Sequence, residues 1–133
     1  MEPLETTRPR HRGIYLLPNL FTTGAPLAPA AALCNMTTCL QHQADGISGC
    51  IRYLKAHDLN EIEPTDLMES EWISYHDGYA NATLMSKTDS WYMGSNVPGK
   101  QRRMLSFAGG VGTYHQKCEE LAIRGYPGFV MHN

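Results

Sequence analysis

Several side chains in this sequence are of the types that carry chemistry. Cys39 and His42 stand three residues apart, which on a helix places a thiol and an imidazole side by side as a nucleophile–base pair or as two metal ligands. Without further ligands, packing for the thiol and a solvated place for the imidazole is the simpler reading. Trp72, Tyr75 and Tyr79 repeat at helical spacing and are predicted to form a core face rather than a stacking platform. Gln101-Arg102-Arg103 could grip a phosphate, although a solvated loop edge is the commoner use of such a run. His76-Asp77 reads as a charged helix surface. Gly109-Gly110-Val111-Gly112 comes nearest to a phosphate-cradling turn. It lacks the third spaced glycine and the acidic residue about 20 positions on that dinucleotide sites use, so a tight strand-to-helix turn is expected.

The bulk of the chain narrows these options. With 133 residues, one compact unit is expected, and a chain of this size cannot also house two nucleotide-binding domains. A net charge of -2 offers no concentrated basic surface for DNA or RNA. Ile14-Tyr15-Leu16-Leu17 is too short to cross a bilayer, and the apolar stretch from Ala25 to Leu33 is broken by prolines, so no membrane span is predicted. The cysteines, Cys34, Cys39, Cys50 and Cys118, show none of the two-residue gaps of metal knuckles or dithiol sites, and reduced thiols in a cytoplasmic protein are expected. Asn35-Met36-Thr37 and Asn81-Ala82-Thr83 have the form of glycosylation sequons, but the acidic, arginine-containing start of the chain carries no secretory signal, so neither is expected to be modified.

The elements that must position these groups follow from pattern. Residues 1–12 read as a solvated, disordered arm, and 13–133 as the structured region. A short strand is predicted on each side of the Pro18-Asn19 turn, the second near Leu20 to Thr23. Leu40, Ile47, Ile51 and Leu54 mark a helix over about 39–55, with Thr38 and Gln41 as a capping box. His57 to Asn60 forms a connection, and a second helix starts at an N-cap Thr65, with Asp66 and Glu69 in its first turn. Residues 86–101 form a loop in which Pro98-Gly99 suits a type II turn. Residues 103–107 read as a strand. A last helix capped by Thr113 and Gln116 turns Cys118, Leu121 and Ala122 inward and stops at Gly125, before a short strand or tail. The fold class is therefore α+β, mainly helical with a few short strands.

Seven stretches, in order, resemble one family. They are Pro18-Asn19-Leu20-Phe21-Thr22-Thr23-Gly24; Leu33-Cys34-Asn35-Met36-Thr37-Thr38-Cys39; Ile51-Arg52-Tyr53-Leu54; Ile62-Glu63-Pro64-Thr65; Ser90-Trp91-Tyr92-Met93-Gly94-Ser95-Asn96-Val97-Pro98-Gly99-Lys100; the run from Gly109 to Glu120; and Gly125-Tyr126-Pro127-Gly128-Phe129. The family is that of the Baeyer-Villiger flavin monooxygenases. The first stretch by itself also resembles the start of phosphatidylserine synthases, but the paired aspartates of a metal-dependent site do not follow it.

The resemblance implies the C-terminal portion of a two-dinucleotide-domain flavoprotein that uses FAD, NADPH and O2 to convert a ketone to an ester or lactone. Carried over residue by residue, Ala32 and Leu33 would face the substrate, and Asn35 and Met36 the flavin. Trp91 would reach the nicotinamide from a mobile loop shaped by Gly94, Asn96 and Lys100. An indole suits such a lid, because it pairs one hydrogen-bond donor with a large apolar face that excludes water. The glycine motifs for both dinucleotides, the family fingerprint between them and the arginine expected beside the flavin are absent from this sequence. The chain therefore reads as a truncated or remnant monooxygenase that does not hold FAD and NADPH or catalyse alone, from a lineage handling terpenoid or polyketide ketones. The alternative is a non-catalytic interaction module that docks on a complete flavoprotein or a complementary chain. Gly46 stands where the family's Asp-Trp-Ile pattern has tryptophan, which implies a lost buried side chain whose truncation costs about 3–5 kcal/mol. Exposed apolar patches are expected where a parent domain would pack.

Overall fold

A computed structural model describes residues 17–30, 33–99 and 101–133. The arm at 1–12 and the first predicted strand therefore lie outside the described residues, apart from Leu17. Three helices and a two-stranded antiparallel sheet follow in the order α1 (Met36–Ala56), β1 (Glu61–Pro64), α2 (Asp66–Asn81), α3 (Val111–Ile123) and β2 (Phe129–His132). Two single 3-10 turns, Leu84–Lys87 and Trp91–Met93, lie between α2 and α3. This is the expected mainly helical α+β class.

α2 begins where its sequence signals place it. Thr65 caps it by accepting a hydrogen bond from the Met68 amide at 3.2 Å, and Asp66 and Glu69 occupy the first turn. α1 starts earlier than its capping box implied. The side chain of Asn35 accepts from the amides of Thr37 and Thr38 at 3.1 and 3.4 Å, so Thr38 lies inside the helix. Asparagine is as good a cap as threonine and stands closer to the proline-rich loop that delivers the chain. α3 likewise starts at Gly110 rather than Thr113, because Gly110 holds φ 84° and ψ 155°, a conformation essentially reserved for glycine.

Residues 20–23 do not form the second predicted strand. Asn19, at φ 59°, instead docks on β1. Its amide donates to the Ile62 carbonyl at 3.0 Å, its side-chain oxygen accepts from the Ile62 amide at 3.1 Å, and its side-chain nitrogen donates to the Asn60 carbonyl at 2.9 Å. One residue thus satisfies part of the sheet edge that a strand would have covered. β1 pairs with β2 in the register Glu61 to His132, Ile62 to Met131, Glu63 to Val130 and Pro64 to Phe129.

Two small apolar clusters hold these elements. Cys50 and Leu54 of α1 meet Ile62 of β1, covered by Leu59, Tyr126, Phe129 and Met131. Ala80 of α2 meets Met93 and Met104, with Met85 and Ala108 against them. Burying one leucine or isoleucine side chain contributes about 1.5–3 kcal/mol. α3 has no buried residue, while Ile123 is 85% exposed, Leu84 77% and Leu67 68%. Leu67 opens α2, Leu84 follows it and Ile123 closes α3, so these exposed side chains stand at the ends of elements.

Two further expectations are corrected. Cys34 and Cys39 are not reduced thiols but form a disulfide across the first turn of α1, their Cα atoms 6.7 Å apart; Cys50 and Cys118 are free. Gly46 is exposed and a Cβ built on it meets nothing within 4 Å, so position 46 faces solvent in this chain rather than a core.

Candidate functional site

The site is organised around residues 101–107. The predicted strand at 103–107 is an extended segment with a bend at 105–106, because its hydrogen bonds run to two different loops instead of one ladder. The Arg103 amide donates to the Met93 carbonyl at 3.1 Å and the Leu105 amide to the Tyr92 carbonyl at 2.8 Å. The Leu27 amide donates to the Leu105 carbonyl at 2.7 Å, and the Phe107 amide to the Ala28 carbonyl at 3.1 Å. This spine therefore grips the Trp91 turn and also the loop that leads into Leu33–Met36.

On the Trp91 side, the turn closes through the Gly94 amide, which donates to the Trp91 carbonyl at 2.9 Å, with Gly94 at φ 66°. Gly99 at φ 77° fits the type II turn expected of Pro98-Gly99. The Ser95 hydroxyl donates to the Ser90 carbonyl at 2.6 Å. Trp91 stacks on Tyr92 with ring centroids 3.9 Å apart, yet stays 60% exposed. The Ser90 hydroxyl at the base of the turn is buried without a partner. Asn96 is exposed on the same loop, and Lys100 lies outside the described residues.

On the other side, Asn35 spends its side-chain oxygen on capping α1, which leaves its amide nitrogen as the donor available to a ligand. Met36 is half-buried, its methyl against Gly24, where a Cβ would meet it at 3.2 Å. Leu33 is 43% exposed, and Ala32 lies outside the described residues. Gln43 ties this loop to α1, its side-chain oxygen accepting from the Gly24 amide at 2.7 Å.

Trp72, Tyr75 and Tyr79, expected as a core face of α2, are half-buried, and the buried positions of that helix are His76 and Ala80; the three rings instead surround a buried residue of the spine. Phe107 is fully buried and lies between 5.4 and 5.9 Å, centroid to centroid, from Tyr79, Tyr114, Trp72 and Tyr75. Gly109 permits this packing, since a Cβ there would meet the Phe107 ring at 2.7 Å. The glycine cluster thus serves a turn and a close approach. Burial pushes the Tyr114 hydroxyl and the Cys118 thiol up together.

The His76-Asp77 pair is not a charged surface. His76 is fully buried, with Nε2 3.2 Å from the Ser106 carbonyl and Nδ1 3.1 Å from Asp77. Arg103 turns inward, its Nε 3.2 Å from each oxygen of Asp77. Gln101 and Arg102 stay at the solvated edge, Arg102 against Asp89 at 2.7 Å. Sequence reasoning missed this network because its members lie 26 and 30 residues apart. The lone signal was a histidine on the same helix as the aromatic face. Among the described residues no group of three or more metal-ligating side chains is assembled, and His42 packs its ring on His115, centroids 4.5 Å apart.

The exposed aromatic turn and the loop leading into Leu33–Met36 are thus held on one spine. The chain is homologous to the C-terminal segment of the Baeyer-Villiger flavin monooxygenases. Acetone monooxygenase (methyl acetate-forming) of Gordonia sp. (strain TY-5) is 57% identical over 118 residues, which cover 89% of this chain and 22% of that protein. Cyclopentanone 1,2-monooxygenase of Comamonas sp. (strain NCIMB 9872) is 34% identical over 86% of this chain and 20% of its own length. The crystal structure of cyclohexanone monooxygenase from Rhodococcus sp. Phi1 bound to NADP+ superposes with a TM-score of 0.74 at 33% identity, over 81% of this chain and 20% of that one. The chain thus spans about a fifth of the length of the relatives it matches. No family profile matches it.

Proposed function

We propose that this chain supplies the nicotinamide-side lid and part of the substrate wall of a Baeyer-Villiger monooxygenase that converts a ketone to an ester or lactone. The observation that carries the reading is the Trp91 turn, fixed by two backbone hydrogen bonds to the spine while its indole points outward. FAD and NADPH, when bound, supply the oxygen activation and the reducing electrons. Trp91 covers the nicotinamide and offers its indole N–H, with Asn96 and Lys100 flanking it. Asn35 and Met36 border the flavin, and Ala32 and Leu33 line the substrate space. Together these side chains orient the ligands and exclude water.

A complementary part carrying both dinucleotide domains is required, as a separate chain or as further sequence, and the working site is cytoplasmic. The substrate favoured is a short aliphatic ketone, given 57% identity to a relative whose name specifies acetone, in preference to a terpenoid or polyketide ketone. The test is reconstitution. The chain is mixed with the acetone monooxygenase of Gordonia lacking its matching segment, and conversion of acetone to methyl acetate is followed with NADPH. The chain alone should show no flavin absorbance and no NADPH oxidation, and the mixture should regain turnover. Stoichiometric FAD on the isolated chain, or an inactive mixture containing a stable complex, defeats the proposal. The latter result would support the second reading, a non-catalytic docking module, which the exposed Leu67, Leu84 and Ile123 favour.

A further inference from the structure

We propose that His76 and Asp77 of α2, together with Arg103, are positioning residues for the Trp91 turn. The inference rests on the lid reading above for its functional meaning, but its mechanical content stands on geometry alone. The Trp91 turn is held by its own hydrogen bonds and by the buried Met93 side chain against Ala80 of α2 and Met104, while its indole is exposed and the Arg102–Asp89 ion pair beside it is solvated. Its backbone is tied to the spine at the carbonyls of Tyr92 and Met93, which accept from Leu105 and Arg103. The placing of the spine is therefore one of the two things that set the turn, beside the Met93 packing.

α2 grips the spine at two places three residues apart. At one, the guanidinium of Arg103 meets both oxygens of Asp77, and Arg103 is the residue whose amide holds Met93. At the other, Nε2 of the fully buried His76 lies 3.2 Å from the carbonyl of Ser106, the residue after the one that holds Tyr92. A carbonyl only accepts, so Nε2 carries the hydrogen in that contact. Nδ1 of the same ring lies 3.1 Å from Asp77, which brings the two grips side by side; a carboxylate also only accepts, so this contact is a hydrogen bond only when Nδ1 carries a hydrogen as well. The Arg103–Asp77 pair is half-buried, more shielded than the Arg102–Asp89 pair, and Asp77 also adjoins the buried His76. The unit is also placed to register the substrate-side loop, since Leu27 and Ala28 hang on the same spine.

The experiment is amide hydrogen exchange on the full chain, comparing Asp77→Asn and Arg103→Lys with the parent sequence. Losing a hydrogen-bonded charge pair should speed exchange of the Arg103 and Leu105 amides about tenfold in Asp77→Asn. Arg103→Lys, which keeps the charge but loses the planar contact, should lie between. The amides of the β1–β2 pair should not change in either variant. As a spectroscopic check, in a Trp72→Phe background Asp77→Asn should increase acrylamide quenching of Trp91 and lower its fluorescence anisotropy. Unchanged exchange at Arg103 and Leu105, or exchange that rises equally in β1 and β2, overturns the proposal, the second result marking an effect on global stability alone. The lid reading is tested apart from it, by Trp91→Ala in the reconstituted mixture. A loosened turn in Asp77→Asn with an unaltered NADPH KM in Trp91→Ala supports the positioning role and removes the lid. A rigid turn with a raised KM does the reverse.

Discussion

Replacing Phe107 tests the packing on which the spine depends. The ring is fully buried and is met by Trp72, Tyr75 and Tyr79 of α2 and Tyr114 of α3, so truncation to alanine removes the hub between two helices. Such a change costs about 3–5 kcal/mol by loss of apolar burial and the cavity left behind. A domain is held by about 5–15 kcal/mol in total, and this one has two small clusters and a third helix with nothing buried. Phe107→Ala should therefore leave the chain largely unfolded at 25 °C. Phe107→Leu keeps an apolar side chain three carbons smaller, and at about 0.8 kcal/mol per carbon should cost about 2 kcal/mol, a loss that can be measured. The assay is urea unfolding followed by far-ultraviolet circular dichroism, reading the midpoint at constant slope. A loss below about 0.5 kcal/mol in Phe107→Leu, the range of ordinary surface substitutions, together with a folded Phe107→Ala, would refute the idea that this ring joins α2 to α3.

The two glycines that stand on helix or turn positions of opposite character should respond with opposite sign. Gly109→Ala, whose Cβ would press on Phe107 at 2.7 Å, should destabilise by about 1–3 kcal/mol, whereas Gly46→Ala, in open space within α1, should stabilise by up to about 1 kcal/mol, both read from urea midpoints. Asn35→Ala should cost about 1 kcal/mol by removing the cap of α1, and Asn35→Asp should restore it; equal stability of all three would deny the cap. Alkali should also weaken the fold. Burial pushes the Cys50 and Cys118 thiols above their ordinary 9.0, and Tyr126 is pushed up to about 12 from 10.0, first by burial. The folded state thus holds these protons more tightly than the unfolded chain, so their contribution is complete below about pH 9 and is lost as pH rises towards 12. Midpoints at pH 7, 8, 9 and 10 should be level at first and then fall, and a rise above pH 9 would contradict the buried placement.

Local signals were legible in the sequence and distant ones were not. Thr65, Asp66 and Glu69 announced α2 because a cap and a first turn are made by neighbours in the chain. The aromatic face of that helix was equally plain, since Trp72, Tyr75 and Tyr79 repeat with its period. The starts of α1 and α3 were misplaced by a few residues because Asn35 and Gly110 compete with later residues that also resemble caps. β1 was read only as a stretch from Ile62 that resembles the family, since four residues acquire strand identity from a partner near residue 130. His76 misled for the same reason. Its neighbours Asp77 and Tyr75 are polar or amphipathic, and the acceptor that makes burial tolerable comes from Ser106. At the candidate site, Trp91 was singled out by motif alone, and the spine that carries its turn had to be seen in three dimensions.

The β1–β2 clasp has a kinetic meaning as well. By pairing Glu61 with His132 it closes a loop of about 70 residues that contains α2, the Trp91 turn, the spine and α3. Bringing the ends of such a loop together costs about 4 kcal/mol of chain entropy before any partner is met. Four pairs of residues and the Phe129 and Met131 contacts must offset that cost, so the clasp gains little from forming first. α1 packs on α3 across a comparable stretch of chain, so the helices do not assemble on local contacts alone, and the sheet and the α1–α3 contact share one entropic cost of closure.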